Sequence, residues 1–451
     1  MLLLLLLLHG LLLTFTKFTL WPEMVVYPYL VNHGYELYKD LINPYPPYLT
    51  LALAAFTRVW GYNPVSFRIL TLAVAFFIDL LIFALSKKIY KNNKKALLNT
   101  FIFVIISIPL GINGLWFELI QTPFILLSVY FLLFQKQKKS FLISSILLAV
   151  AIGIKQQAVW LVPLFLLFKL KRPLLTTANI KSATTLLLPI FILYAATLVL
   201  VSAISDPQSF YRWTIILPFF KASSMPGYVL LPSARQLLTV ASILLFVLPF
   251  NQHAAGNIKK LNLVAIYLIV FAYPRFDYFH LVPATALFCL TFSAIHFKNK
   301  KLPLVAAILL LPFIAFSFRY FQGNTGFSTR FFENDIRDAS KNLSLFTRTG
   351  DKVYIQNGPD QLLALSGLLP PKPWADEFPW YLQFDQTQQK VVDAIKLEKP
   401  KYVIYEPYQE GPVYSLGSYK PELIFNYINQ NYEPYSKISN SLWLKKLRTS
   451  Y

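Results

Sequence analysis

Acidic residues are nearly missing from the first 320 positions, where only Glu23, Glu36, Asp40, Asp79, Glu118, Asp206 and Asp277 occur. Cysteine is almost absent too: Cys289 is the single one, set in an apolar run, so neither a disulfide nor a thiolate metal site is open to the chain. It reads as a small buried hydrophobe. The sequence has no glycine-rich phosphate loop, no HExxH and no internal repeat, which removes the nucleotide-cradling and zincin readings. Charged residues make up only 14% of the 451, while 56% are hydrophobic and mean hydropathy is +0.49. A chain this apolar cannot hide its surface from water unaided, so lipid must be part of its solvent.

What charge there is runs basic, with 42 Lys plus Arg against 21 Asp plus Glu. In a soluble protein that excess suggests nucleic acid. Here it sits in short loops between apolar runs, which points to anionic lipid headgroups and membrane topology. Nucleic acid is therefore not expected as a partner, and membrane lipids are. Apolar runs occur near 2–18, 65–86, 97–113, 119–134, 141–154, 156–168, 183–203, 234–250, 261–274, 281–297 and 302–319. The predicted fold is a polytopic α-helical membrane protein with about 11 transmembrane helices. The leucine-rich start lacks a basic leader and a small-residue cleavage site, so it reads as a retained first span.

Charge sets the expected orientation. The loops KKIYKNNKK, QKQKKS, KLKRPLLTTANIK, NQHAAGNIKK and KNKK hold seventeen Lys or Arg and no acid. By the positive-inside bias these face the cytoplasm, with the N-terminus. Six of the seven acids then fall in outward loops, and Asp79 lies within a helix. Residues 1–320 form the expected transmembrane domain, with a long first outer loop at 17–64. From Phe321 the composition changes to 15 Lys plus Arg and 14 Asp plus Glu, the balance of a soluble domain. Helical and strand periods alternate there, so 321–451 is expected to be a small α/β extracytoplasmic domain.

Candidate chemistry lies in the outward loops. In the first, Glu23 follows the initial span in WPE and Asp40 precedes NPYPPY; either carboxylate is a candidate general base toward an acceptor hydroxyl. Glu36, with Lys39 at i+3, reads instead as an exposed helical ion pair, and the aromatics of this loop suit an interfacial position. Glu118 heads a later span, where the helix dipole favours it with or without a function. Lys155, in AIGIKQQAVW, is the one charge across 141–167, so a paired or anion-binding role is expected. Arg212, in FYRW, suits a phosphate or an aromatic stack. The hairpin YPRFDYFH puts Arg275, Asp277 and His280 between two apolar runs. The guanidinium fork suits phosphate oxygens, His280 can donate to a phosphate or sugar hydroxyl, and Asp277 can orient either neighbour. His9, His33, His253 and His296 read as incidental.

The order of an acid after the first span, GYELYKDLINPYPPY, IKQQ, RFDYFHLVPA and an outward α/β tail resembles the GT-C membrane glycosyltransferases. It resembles in particular the bacterial and archaeal relatives of the protein O-mannosyltransferase and aminoarabinose-transferase families, and the likeness covers most of the chain. It implies a GT-C-like fold and transfer of a hexose-type sugar from a polyprenyl-phosphate carrier. The acceptor would be a glycan, lipid or protein on the non-cytoplasmic face of a cell membrane. In such families a first-loop acid is the base; Glu23 matches by position, with Asp40 the alternative. They often carry a lysine ahead of the Pro-Pro step, where this chain has Tyr45, so phosphate would fall to Lys39, Arg58, Lys155 or Arg275. The chemistry requires no cofactor; outward acids could hold a divalent cation through oxygen ligands, but their spacing carries no metal signature. The alternatives are a lipid-linked sugar flippase and a non-catalytic protein that displays the tail.

Overall fold

A computed structural model describes the chain except residues 138, 171–172, 174–175, 226, 248–255, 295–301, 412–416 and 449–451. His253, His296 and the basic pairs at 171–172 and 300–301 therefore lie outside the described residues. The rest divides into two compact units: residues 1–19, 68–196 and 230–328 in one, and 20–67, 197–229 and 329–451 in the other.

The first unit is built from apolar helices. Leucine, isoleucine and phenylalanine runs without polar partners for the backbone must satisfy their N–H and C=O groups internally, and the helix does so. Each of the eleven predicted apolar runs overlaps a helix, among them Leu2–Phe15, Phe117–Phe134, Ser140–Ile154 and Val282–Thr291. Among the described residues three helices, Pro64–Tyr90, Phe117–Phe134 and Thr177–Ile204, are long and apolar enough to cross a membrane, which is fewer than the eleven spans expected. Others are shorter than their apolar runs, as with Leu2–Phe15. Side chains such as Leu3, Leu4, Ile69 and Phe191 are exposed, as surfaces meeting lipid require.

Small polar residues close the helix contacts. Ser128 Oγ donates to Ser144 O at 2.7 Å and Ser144 Oγ donates back to Ser128 O at 2.8 Å, drawing Phe117–Phe134 against Ser140–Ile154. Asn99 donates to Ser86 Oγ and to Leu290 O, both at 3.0 Å. His9, which the sequence marks as incidental, is fully buried with its Nδ1 2.7 Å from Asp79 Oδ2. Seventy positions separate the two, and helix packing alone brings them together.

The second unit joins residues 20–67 and 197–229 to the tail. Its four-stranded sheet runs in the order Val353–Gln356, Tyr402–Tyr405, Trp443–Leu447, Tyr432–Lys437. The first two strands are parallel, Val353 opposite Tyr402, and the other pairings are antiparallel. Helix Thr387–Glu398 lies in the crossover between the parallel strands, as parallel pairing demands. The helix and strand periods read from 321–451 are thus present.

The first loop is not an interfacial strap. It folds into helices Glu23–Asn32 and Pro47–Trp60, and Tyr27, Tyr35, Tyr38 and Leu41 share one apolar core with Val353, Leu362, Trp374 and Ile404. Backbone bonds clamp it there, Ile42 N to Trp374 O at 3.0 Å and Trp374 N to Asp40 O at 2.8 Å. Its aromatics are core residues because the tail supplies the apolar surface they bury.

Candidate active site

In the second unit Glu23 opens the helix Glu23–Asn32, where a carboxylate suits the helix N-terminus. Tyr27 follows one turn later on the same face, and its hydroxyl donates to Asp376 Oδ2 at 2.5 Å. The Asp360 carboxyl donates to Asp376 as well. Next in the chain, Glu377 accepts from the Tyr354 hydroxyl at 2.6 Å and the Asn357 backbone N–H at 2.8 Å. Glu23 and Asp376 are 9% and 3% exposed. Glu23 Oε2 is buried with no hydrogen-bond partner. Among the described residues none of these four carboxyls pairs with a Lys, Arg or His.

Burying carboxyls without cations favours their neutral forms. Burial, then the facing charge of Asp376, pushes Glu23 up from 4.5 to about 8. Asp376 rises only to about 6, because the hydrogen bonds from Tyr27 and Asp360 oppose the effect of burial. Glu377 rises to about 7 through burial, opposed by its bonds from Tyr354 and Asn357. Asp360 is raised well above the carboxylate range by burial and then by the charges of Asp376, Glu377 and Glu23. Burial thus shifts all four carboxyls toward their protonated forms.

Asp40, the other first-loop acid, is engaged elsewhere. Lys372 Nζ donates to its Oδ2 at 2.9 Å and to Gly34 O at 2.7 Å, with the ammonium 4.3 Å from the Tyr35 ring centroid. Arg212 donates to both carboxylate oxygens of Asp385, at 3.0 and 3.3 Å, in a part-exposed pair. Glu36 and Lys39 pair at 3.1 Å on the surface, as their spacing predicts.

The first unit holds a different constellation. Glu118, in the first turn of Phe117–Phe134, is fully buried. Its Oε1 accepts from Lys155 Nζ and from His280 Nδ1, both at 2.5 Å, while Oε2 is buried without a partner. Lys155 lies where helix Ser140–Ile154 ends, its backbone extended, and Gln121 Nε2 donates to its carbonyl at 3.0 Å. His280 sits on the short 3-10 helix Tyr278–Leu281, which Asp277 caps by accepting from the Tyr278 N–H at 2.6 Å. Arg275 lies on the stretch before it, whose backbone bridges Leu230. Gly111, at φ +85°, packs against this segment so closely that a Cβ would lie 3.0–3.2 Å from Phe279 Cβ, Cα and N. Of the residues read from sequence, three therefore meet: Glu118, Lys155 and His280. A cavity of about 220 Å³ in the same unit is lined by Ile102, Ile105, Val240, Leu281, Phe288 and Phe313, among others.

Sequence reading did not find Tyr27, Asp360, Asp376 or Glu377. A signal was present in WADEFPWY, where two adjacent acids are enclosed by Trp374, Phe378 and Trp380, an unusual setting for solvated charge. Among the described residues no three His, Cys, Asp or Glu side chains are grouped to hold a metal ion.

No protein-family model and no curated protein matches the chain. Its structure is similar to that of ArnT from Cupriavidus metallidurans, solved bound to undecaprenyl phosphate. The TM-score is 0.63 at 11% identity, over 99% of this chain and 97% of that one. It is also similar to the oligosaccharyltransferase of Archaeoglobus fulgidus, solved tethered to an acceptor peptide containing the NVT sequon. There the TM-score is 0.53 at 11% identity, over 98% of this chain and 74% of that one. The chain shares its fold with these two proteins.

Proposed function

We propose, proceeding from a fold shared with GT-C glycosyltransferases, that this protein moves a hexose-type sugar from a polyprenyl-phosphate carrier to an acceptor hydroxyl on the non-cytoplasmic face of a cell membrane. The observation that carries the reading is Glu23, a buried first-loop carboxyl with a free oxygen and a proton affinity lifted into the neutral range. In the proposed step the acceptor oxygen bonds to the anomeric carbon while the carbon–phosphate oxygen bond breaks. The electron pair leaves with the phosphate, and the acceptor proton passes to the Glu23 carboxylate. A phosphate needs no general acid to leave, unlike the alkoxide of a glycoside hydrolase.

Asp40 is the alternative base, but its pairing with Lys372 holds it as a structural carboxylate. In the first unit Lys155, Arg275 and His280 are proposed as anion-binding groups, with Glu118 orienting Lys155 and His280 and Asp277 holding the His280 turn. Arg212 is proposed to serve through its bond to Asp385 rather than by holding phosphate. The apolar cavity suits a stretch of isoprenoid chain. The acceptor, a glycan, lipid or protein, is open, and no step is assigned to a divalent cation. The topology proposed with this function keeps the N-terminus cytoplasmic and residues 321–451 outside.

Mass spectrometry of glycans, glycolipids and glycoproteins from cells with and without the protein tests the reading. Loss of one saccharide on deletion, restored by the wild type and not by a membrane-inserted Glu23→Gln variant, is the expected outcome. Full restoration by Glu23→Gln removes Glu23 as base.

A further inference from the structure

Glu118 and Gln121 stand about one turn apart on the same face of helix Phe117–Phe134, and both reach the same residue. Glu118 Oε1 takes the Lys155 ammonium at 2.5 Å, and Gln121 Nε2 donates to the Lys155 carbonyl at 3.0 Å. The same carboxamide nitrogen donates to Ala151 O at 2.6 Å, in the last turn of helix Ser140–Ile154. Gln121 is fully buried, and no partner among the described residues meets its Oε1. A buried acceptor without a donor is destabilising, and an apolar side chain of the same size would avoid it. What the carboxamide supplies is its pair of donated bonds, not packing.

Those bonds fall on a break in the chain. Lys155 ends helix Ser140–Ile154 in extended backbone, φ −146° and ψ 121°, and the 3-10 turn Gln156–Trp160 follows at once. Relative to a helical φ of about −63°, this swings the Lys155 Cβ by roughly 80° about its N–Cα bond. We propose that Gln121 is a positioning residue for Lys155: by bonding one carbonyl before the break and one at it, Gln121 holds the extended backbone that aims the ammonium at Glu118. The inference rests on the anion-binding role proposed for Lys155 and adds to it a residue that touches no anion itself. Helix Phe117–Phe134 then grips one lysine twice, by its charge through Glu118 and by its backbone through Gln121.

Both carbonyls keep a backbone donor without Gln121. Ala151 O retains the Lys155 N–H at 3.1 Å, and Lys155 O retains the Ala158 N–H at 3.2 Å. Gln121→Met, unbranched and of similar volume, therefore strands no buried carbonyl and removes the clamp alone. The helices still pack, while the Lys155 ammonium loses its fixed aim.

The test is equilibrium binding of radiolabelled farnesyl phosphate, and of its uncharged counterpart farnesol, to the full chain in detergent, read by scintillation proximity. Gln121→Met should weaken farnesyl phosphate by about tenfold or more and leave farnesol within about twofold of wild type. In a Lys155→Met background the same change should cost phosphate affinity less than about twofold, because the residue it positions is gone. Equal losses for farnesyl phosphate and farnesol overturn the inference, since a merely structural residue would weaken both. So does a Gln121→Met affinity for farnesyl phosphate within about twofold of wild type where Lys155→Met weakens it, an outcome that leaves the reading of Lys155 standing. If Lys155→Met binds farnesyl phosphate as the wild type does, the anion-binding reading fails and takes the inference with it. Should Lys155→Met fail to fold, the contrast between farnesyl phosphate and farnesol in Gln121→Met decides alone. Should Gln121→Met fail to fold, Gln121→Leu takes its place.

Discussion

Neutralising either end of the Glu118–Lys155 pair is the perturbation to which the bundle should respond most. Lys155 Nζ and His280 Nδ1 both lie 2.5 Å from Glu118 Oε1, Glu118 is fully buried, and Lys155 is 8% exposed. Glu118→Gln removes the carboxylate charge facing the enclosed ammonium; Lys155→Met leaves the buried carboxylate with His280 alone. Stranding one partner of a buried pair costs about 3–5 kcal/mol. Removing both charges avoids that penalty, so the double variant should be more stable than either single one, with a coupling energy of about 2 kcal/mol or more. Unfolding by SDS in mixed micelles, followed by tryptophan fluorescence, measures all four proteins of the cycle. Single variants within about 1 kcal/mol of wild type, or costs that simply add, would show that the pair is solvated and would refute the reasoning.

Three further outcomes follow from the same geometry. Glu23 releases its proton near 4.5 when unfolded and near 8 when folded, so between these values the native state holds the extra proton. Its stabilising contribution is complete below pH 4.5 and is lost as pH rises through about 8. Thermal melts across pH 5–9 should show the wild type losing ground to Glu23→Gln with rising pH; parallel profiles would contradict the burial argument. Gly111→Ala combines a left-handed φ with a Cβ pressed on the Phe279 backbone. It should displace the His280 turn and cost about 2 kcal/mol or more, read in the same SDS assay, whereas an unchanged curve would mean the turn yields freely. Arg212→Ala breaks a part-exposed pair and should cost less than about 1 kcal/mol; a larger loss would mark Arg212 as buried in function.

Local chemistry was legible wherever partners are near in sequence. Glu36 and Lys39 pair as expected, though across a turn with Tyr38 at φ +72° rather than on the helical turn their spacing suggested. Lys155 announced itself as paired because a lone lysine among apolar residues must find an anion. Its actual partner, Glu118, lies 37 positions away, and His280 reaches the same oxygen from 162 positions away. No spacing rule gives that convergence. Asp40 and Arg212 look free in sequence and are paired in the fold, because Lys372 and Asp385 come from the tail. The acids that set the proton affinity of Glu23 are also tail residues, and they resemble ordinary surface acids until Trp374 and Tyr381 bury beside them.

The sequence by itself determined the solvent of this protein and the character of its elements. Apolar runs can satisfy their backbone in lipid only as helices, and a charge-balanced tail can fold in water. Tertiary structure alone decided which polar groups meet in the interior. That depends on burial and on donors brought from distant segments: Tyr27 and Asp360 onto Asp376, Lys155 and His280 onto Glu118. Proton affinity belongs to a site's surroundings, and for this chain those surroundings exist only once it has folded.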